Sequence, residues 1–354
     1  MLFDERNYRI NKVLLSWIGQ WPYQTSRRNS AIIVIIVFLA GTQIVAKICG
    51  LFSIKDMDVF IDSLSPLVAD LGCGIKFFIC ILKTTQIKAL FNQIRDDRQT
   101  LSTCENINIF DSYARKGRKF TIIYGGFVYF ALILFMLVPL QPLLLGSSND
   151  TRPLLHEVNY YIDMDKYYLP ILLHGYIMVA IIVTIGVATD TMFVIMVQHV
   201  CGLLTIIRQQ VDNIIKEENL MMDINPPVMN DEPYKNIIKS IRAHKRALRF
   251  ANLMEAVFNP MFLVMAACNV LVVSMTGVTA QQLIDHSIYI HTSLINMTWY
   301  RTSFKTRKIF IFMLMRTEKP CVLTAGKMFV ISMDTFTTIV RMSMSYFTML
   351  RSMQ

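Results

Sequence analysis

The chain has 354 residues, of which 54% are hydrophobic and 17% are charged, and its formal net charge is +10 at pH 7. This composition is more apolar than that of an ordinary soluble domain and indicates a membrane protein. A positive charge can also indicate nucleic-acid binding, but here the lysines and arginines are spread through the segments between apolar stretches. The sequence therefore predicts no nucleic-acid partner.

Four apolar windows predict membrane-spanning helices. Each meets the requirement of about 20 residues for crossing the hydrocarbon core, and none holds more than one charged residue. They are residues 31–52, 120–145, 169–197 and 256–278. Two further windows, residues 59–82 and 328–350, hold several charged residues. We predict that they also span, with their charges facing protein or water rather than lipid. The predicted fold class is an all-α polytopic membrane protein with six recognisable spans.

The distribution of basic residues predicts the orientation of the chain. Clusters precede the first span and separate spans two and three, and such clusters lie in the cytoplasm. They are Arg6, Arg9, Lys12, Arg27 and Arg28, then Lys83, Lys88, Arg95, Arg98, Arg115, Lys116, Arg118 and Lys119. The segment between spans three and four is acidic and holds a sequon at Asn149, a candidate glycosylation site in an external loop. The amino terminus is thus predicted inside.

No arrangement of residues predicts catalysis. The histidines are isolated, as at His174 and His199, and each is expected to be packed or hydrogen bonded rather than to bind a metal. Paired acids such as Asp96 and Asp97 are expected on solvated surfaces. The sequence predicts neither an enzyme nor a cofactor.

Two other classes of membrane protein are the alternatives. A G-protein-coupled receptor has the opposite orientation, and "FNPMFL" has Leu263 where that family's motif has tyrosine. A secondary transporter would be expected to show broken helices in matching halves, and no such internal symmetry is present.

The carboxyl-terminal third carries five motifs in order: "QQLIDHS", "FMLMR", "KPCVLTAGKMF", "TFTTI" and "SMSYFTML". With them the chain resembles the insect odorant receptors, and within these the ligand-tuning subunits of hymenopterans. The rest of the chain is similar in layout rather than in local sequence. It lacks the long cytoplasmic insertion of the shared co-receptor.

This resemblance implies a non-selective cation channel of the seven-transmembrane kind, in the plasma membrane of an olfactory sensory neuron dendrite, that volatile odorants or cuticular-type apolar ligands open. It also implies that the carboxyl terminus is extracellular. The implied partners are the odorant co-receptor subunit, with which it forms a heterotetramer, a small apolar odorant, and membrane lipid. Residues 1–354 are expected to form a single membrane domain. Its implied regions are 1–198 with spans one to four and the ligand pocket, 199–250 as a cytoplasmic segment, 251–278 as span five, 281–327 as a cytoplasmic anchor, and 328–354 as the pore-lining helix.

The implied pore residues recur at helical spacing near the end of the chain: Met342, Ser345, Met349 and Met353. Helix packing is the other explanation for such a stripe. The implied ligand pocket lies in the outer halves of the spans, at Leu64, Val68, Leu71, Phe130, Leu134, Val138, Leu172, Tyr176 and Val179.

One span of the family pattern is missing. Five spans leave the chain outside after Val278, yet the next segment holds Arg301, Lys305, Arg307 and Lys308, whose charge belongs inside. In the family, the sixth span comes immediately before the position of "QQLIDHS". We therefore predict that roughly 20 to 30 residues, one span with its turn, are absent between Ala280 and Gln281.

Overall fold

The computed structural model describes residues 3, 6–54, 57–101, 104–140, 154–156, 158–160, 162–163, 166–217, 232–296, 304–325, 329–330 and 332–352. These residues form α1 (Arg9–Trp17), α2 (Ser26–Ser53), α3 (Met57–Leu82), α4 (Thr84–Thr100), α5 (Cys104–Leu137), a 3-10 turn (Val138–Leu140), α6 (Tyr168–Glu217), α7 (Glu232–Asn296), α8 (Phe304–Thr317) and α9 (Met333–Ser352). A two-residue antiparallel hairpin pairs β1 (Thr324–Ala325) with β2 (Phe329–Val330). The predicted all-α fold is confirmed.

Five helices among the described residues are long and apolar enough to cross a membrane. Their spanning stretches are Ser26–Ser53, Ser63–Leu82, Asn106–Leu137, Tyr168–Asp212 and Lys235–Ser274. They match the first five predicted spans, including the charged window of residues 59–82. Helix α9 forms where the closing span is predicted but is less apolar, so the count of six spans and the orientation stay predictions.

The chain divides into two compact units. The first comprises Met1–Cys49 and Asp70–Met265. Its core contains the fully buried side chains of Leu15, Leu90, Ile94, Met196 and Phe250. The short helix α1 contacts α5 and α6 and buries Leu14 and Leu15. The chain leaves α1 through Gly19, whose φ of 70° lies in the left-handed region that favours glycine.

Four charged side chains within the spans of this unit form two ion pairs. Lys47 on α2 binds Asp70 on α3, and Lys76 on α3 binds Asp190 on α6. Tyr124 on α5 also donates its hydroxyl to the Asp190 carboxylate, at 2.9 Å. The expectation that Asp70 and Lys76 face protein is therefore confirmed, and each pair joins two neighbouring spans.

One expectation about acidic residues is wrong. Asp97 was expected on a solvated surface, but its side chain is only 5% exposed. Its Oδ1 lies 2.6 Å from an Arg246 guanidinium nitrogen, and its Oδ2 lies 3.0 Å from Nε2 of His199. Asp97 lies on the inner face of α4, where His199 of α6 and Arg246 of α7 pair with it and offset the cost of burying its charge. His199 is hydrogen bonded, as expected.

The second unit comprises Gly50–Ala69 and Ala266–Gln354. Within it, His291 of α7 contacts Thr317 of α8 through Nδ1 and Oγ1, 3.0 Å apart. The backbone N–H of Cys321 donates to the hydroxyl of Ser287 at 2.9 Å. A Cβ added at Gly277 of α7 would lie 3.4 Å from the sulfur of Met333, so this glycine permits close packing against the start of α9.

Helix α7 continues without interruption through Ala280 and Gln281 to Asn296. Its spanning stretch ends at Ser274, and the described residues after that point hold no further candidate span. The chain therefore does not turn back within α7. This is the arrangement expected if a returning span is absent at the junction.

Candidate ligand cavities and pore helix

The nine predicted pocket residues differ in burial. Leu172 is buried, whereas Leu64, Val68, Tyr176 and Val179 are half-buried. Leu71, Phe130, Leu134 and Val138 are exposed in the single chain. The hydroxyl of Tyr176 donates to the backbone oxygen of Met136 at 3.0 Å, which joins the ends of α5 and α6. These residues stay a predicted pocket.

Leu172 lines a small cavity beside the segment that precedes α6. His156, Tyr160 and Gln43 also line it, and its volume is about 10 Å³. A space of this size holds at most one water molecule. Burial, aided by the positive charge of Lys47, lowers the pKa of His156 to about 4, so its imidazole is neutral at pH 7.

A polar cluster beside this cavity fixes the segment against α2 and α6. The hydroxyl of Tyr160 donates to Oε1 of Gln43 at 2.9 Å and lies 2.6 Å from Nδ1 of His174. Nε2 of His174 lies 3.3 Å from the hydroxyl of Thr42. Burial raises the pKa of the Tyr160 phenol, so the hydroxyl stays protonated at physiological pH.

A larger cavity of about 280 Å³ lies among α2, α3 and α6. Its wall is mostly aliphatic and aromatic, with Ile36, Phe77, Met178 and Ile185 among the residues that form it. The polar side chains on the wall are Gln43 and Asp70, together with the thiol of Cys73. Such a wall suits a small, largely hydrocarbon molecule, because a few polar groups orient it while apolar contacts bind it.

Sequence reasoning missed this cavity. None of the nine predicted residues lines it, because the resemblance drew attention to the outer halves of spans two, three, four and six, whereas this cavity also uses span one. Gly41 on α2 and Gly74 on α3 both line it, and a Cβ added at either would meet no atom within 4 Å. Glycine inside an apolar span was the available signal, but only the folded chain shows that the two glycines border one space.

The predicted pore residues lie on α9 as far as the structure describes them. Met342, Ser345 and Met349 are exposed in the single chain, so they are available to face water or another subunit. Met353 lies outside the described residues, as does the predicted glycosylation site Asn149. The pore assignment stays a prediction.

These features define a multi-pass helical membrane protein whose spans enclose an apolar cavity. A protein-family model described as 7tm odorant receptor matches residues 56–281 and 277–344, most of the chain. The chain belongs to this odorant receptor family. The two matched segments meet at residues 277–281, the position of the predicted missing span.

One curated relative is similar to the chain in sequence, and two solved structures are similar to it in fold. The chain is 31% identical over 86 residues to a Drosophila melanogaster protein named odorant receptor 85d, and this match spans 24% of the chain and 21% of the relative. The structure of the insect olfactory receptor OR5 from Machilis hrabei in complex with eugenol aligns with a TM-score of 0.55 at 14% identity, covering 98% of this chain and 97% of that one. The structure of OR5 described without eugenol aligns with a TM-score of 0.53, with the same identity and coverage. At this identity the likeness establishes the fold.

Proposed function

We propose that the chain is the ligand-tuning subunit of an odorant-gated cation channel in the plasma membrane of an olfactory neuron dendrite. The family match over residues 56–344 carries this proposal. In the channel, the chain joins a co-receptor subunit in a heterotetramer around one central pore. The tuning subunit supplies odorant selectivity, and both subunit types contribute a final helix to the pore.

The ligand of this subunit is a small apolar odorant. The related OR5 structure contains eugenol, and the nine predicted pocket residues here are hydrocarbon side chains apart from the one hydroxyl of Tyr176. Burial of a ligand surface on the order of 200 Å² at ~25 cal/mol/Å² gives ~5 kcal/mol, hence affinities from roughly millimolar to micromolar. The shape of the pocket sets selectivity, because few hydrogen bonds are available there.

The pore opens at an apolar constriction formed by Met349 and Met353, with Met342 and Ser345 on the same side of α9. The exposure of Met342, Ser345 and Met349 in the single chain supports this assignment. A ring of thioether side chains closes a pore by excluding water rather than by repelling charge.

Electrical recording from a heterologous cell tests the proposal. The subunit is expressed in the form that transcript sequencing across Ala280 and Gln281 establishes. Expressed alone it should give no odorant-evoked current, and with an insect odorant co-receptor it should give an odorant-gated cation conductance. Excised patches without nucleotides should keep that conductance. Loss of the response under a G-protein blocker would identify a metabotropic receptor instead and would overturn the proposal.

A further inference from the structure

We propose that the 280 Å³ cavity among α2, α3 and α6 is a second ligand site, for a small hydrocarbon-rich molecule that carries one hydroxyl group. None of the nine residues of the predicted odorant pocket lines it. All of its lining residues belong to the first compact unit. The site therefore depends neither on the predicted missing span nor on the proposed pore.

The volume of the cavity sets the size of the ligand. An engineered apolar cavity of about 150 Å³ in another protein binds benzene, and by proportion this cavity of about 280 Å³ holds about ten to twelve non-hydrogen atoms. A complete lipid acyl chain is longer than that. The occupant is consequently a free small molecule rather than a membrane phospholipid.

Two polar groups on the wall set the chemistry of the ligand. Oδ2 of Asp70 accepts a hydrogen bond from the Lys47 ammonium at 2.5 Å. The second oxygen of the carboxylate can accept a hydrogen bond from a ligand hydroxyl. Gln43 uses its amide oxygen to accept the Tyr160 hydroxyl at 2.9 Å, and its amide nitrogen is a donor for the ligand oxygen. A hydroxyl group can donate to a carboxylate and accept from an amide N–H, so its chemistry matches both groups.

Two glycines leave an opening in the cavity wall on the side that would face the bilayer. Gly41 and Gly74 are exposed, and neither has another atom within 4 Å of the position of an added Cβ. Both lie within candidate membrane spans, Ser26–Ser53 and Ser63–Leu82. An apolar molecule dissolved in the bilayer can enter through this opening without crossing water, and larger side chains at these positions would fill the cavity and block it.

Naphthol is the probe, because it falls in the stated size range and has a single hydroxyl. Binding is measured by fluorescence titration with the purified full chain in lipid nanodiscs, after subtraction of empty nanodiscs. We expect saturable binding at this cavity in addition to any binding in the predicted odorant pocket, and the glycine substitutions identify the part that belongs to the cavity. Gly41→Leu and Gly74→Leu should each weaken binding at least about tenfold. Gly126→Leu is the matched control, since Gly126 is also exposed, has no atom within 4 Å and does not line the cavity; its affinity should stay within about twofold of the original.

A comparison of ligands requires no substitution and tests the same site in the original chain. Naphthalene, which lacks the hydroxyl, should bind severalfold more weakly than naphthol, and hexadecanol should not displace naphthol. Absence of saturable binding would overturn the proposal, as would equal binding by the Gly41, Gly74 and Gly126 variants that remain folded. Native mass spectrometry that finds a phospholipid retained by the original chain and lost from Gly41→Leu would identify a lipid as the occupant and would also overturn it. None of these measurements needs a current, so failure here is distinct from failure of the channel proposal.

Discussion

The ammonium of Lys47 on α2 lies 2.5 Å from the carboxylate of Asp70 on α3, and the two residues belong to spans that are adjacent in the chain. The two side chains are 3% and 11% exposed, so neither charge is hydrated by bulk water. Their attraction offsets a desolvation cost of several kcal/mol for each ion. Substitution of either residue should therefore weaken the contact between α2 and α3.

Loss of one partner should destabilise the protein strongly. Lys47→Met leaves the Asp70 carboxylate without its ammonium and is expected to cost about 3 to 5 kcal/mol. Lys47→Met combined with Asp70→Leu should recover much of that loss, because no charge remains buried. Arg208→Met is the control: its pair with Asp212 has side chains 84% and 53% exposed, and its loss should cost at most about 1 kcal/mol. Thermal unfolding in detergent measures all three, and equal losses for Lys47→Met and the double variant would contradict the pairing argument.

Neighbouring aspartates should differ sharply in their effect on stability. Asp97→Ala removes the shared acceptor of Arg246 and His199 and is expected to cost about 2 to 4 kcal/mol, because the buried His199 ring and the partly exposed Arg246 guanidinium lose their charged partner. Asp96 has a side chain that is 52% exposed, and Asp96→Ala should change stability by less than about 1 kcal/mol. Surface expression and thermal unfolding of the two variants make the comparison. Similar behaviour of the two would show that Asp97 is not part of the packed junction.

The stability of the protein should fall as the solution becomes acidic. His156 has a pKa of about 4 when folded and 6.5 when unfolded. Between these values the unfolded chain binds the proton and the folded chain does not, so stability is greatest above pH 6.5 and is lost as pH falls towards 4. After allowance for partial exposure, the loss is about 1 to 2 kcal/mol. Unfolding temperatures measured at pH 7.5 and pH 5 for the original chain and for His156→Gln test this, and the variant should show the smaller shift.

Hydration of the proposed constriction should increase the resting current. Met349→Ser replaces an apolar side chain by a small polar one, so the closed pore would be wetted more easily. Met344→Ser is the control, because Met344 lies on the opposite face of α9 from Met342, Ser345 and Met349 and is likewise exposed. Unliganded current with the co-receptor is measured at matched surface expression. Unchanged current in Met349→Ser would favour the packing interpretation of this stripe.

The transcript should contain additional sequence between Ala280 and Gln281. The charge of Arg301, Lys305, Arg307 and Lys308 requires a return to the inner side. Helix α7 supplies no such return before Asn296. Sequencing of cDNA across the junction is expected to find roughly 20 to 30 codons there, the length of one span and its turn. The 354-residue form should then give no odorant-gated current. Direct continuity in every transcript, with current from the short form, would contradict both the topology and the gap.

The spans were predictable from sequence because hydropathy is a local property of about 20 successive residues. Burial of Asp70 and Lys76 was also predictable, since a charge within a span needs protein or water around it. Asp97 was not, because it lies in a polar segment and its partners are 102 residues or more further along the chain. The α2–α3–α6 cavity was missed for a related reason: α6 is distant in sequence from α2 and α3, and the sequence of one helix alone does not reveal a space between three.

The partners of the two buried lysines are synthesised at different times. Asp70 follows Lys47 by 23 residues, so the ribosome supplies it within about 1 to 5 s at ordinary elongation rates. Asp190 follows Lys76 by 114 residues, which takes roughly 6 to 23 s. Spans one and two can thus leave the translocon as a helical hairpin in which Lys47 and Asp70 already neutralise each other. Lys76, in contrast, has no partner until the fourth span is synthesised, and until then it must stay in or beside the water-filled translocon. Slowing of translation between codons 83 and 190 should therefore expose this nascent chain to membrane quality control at one identifiable residue.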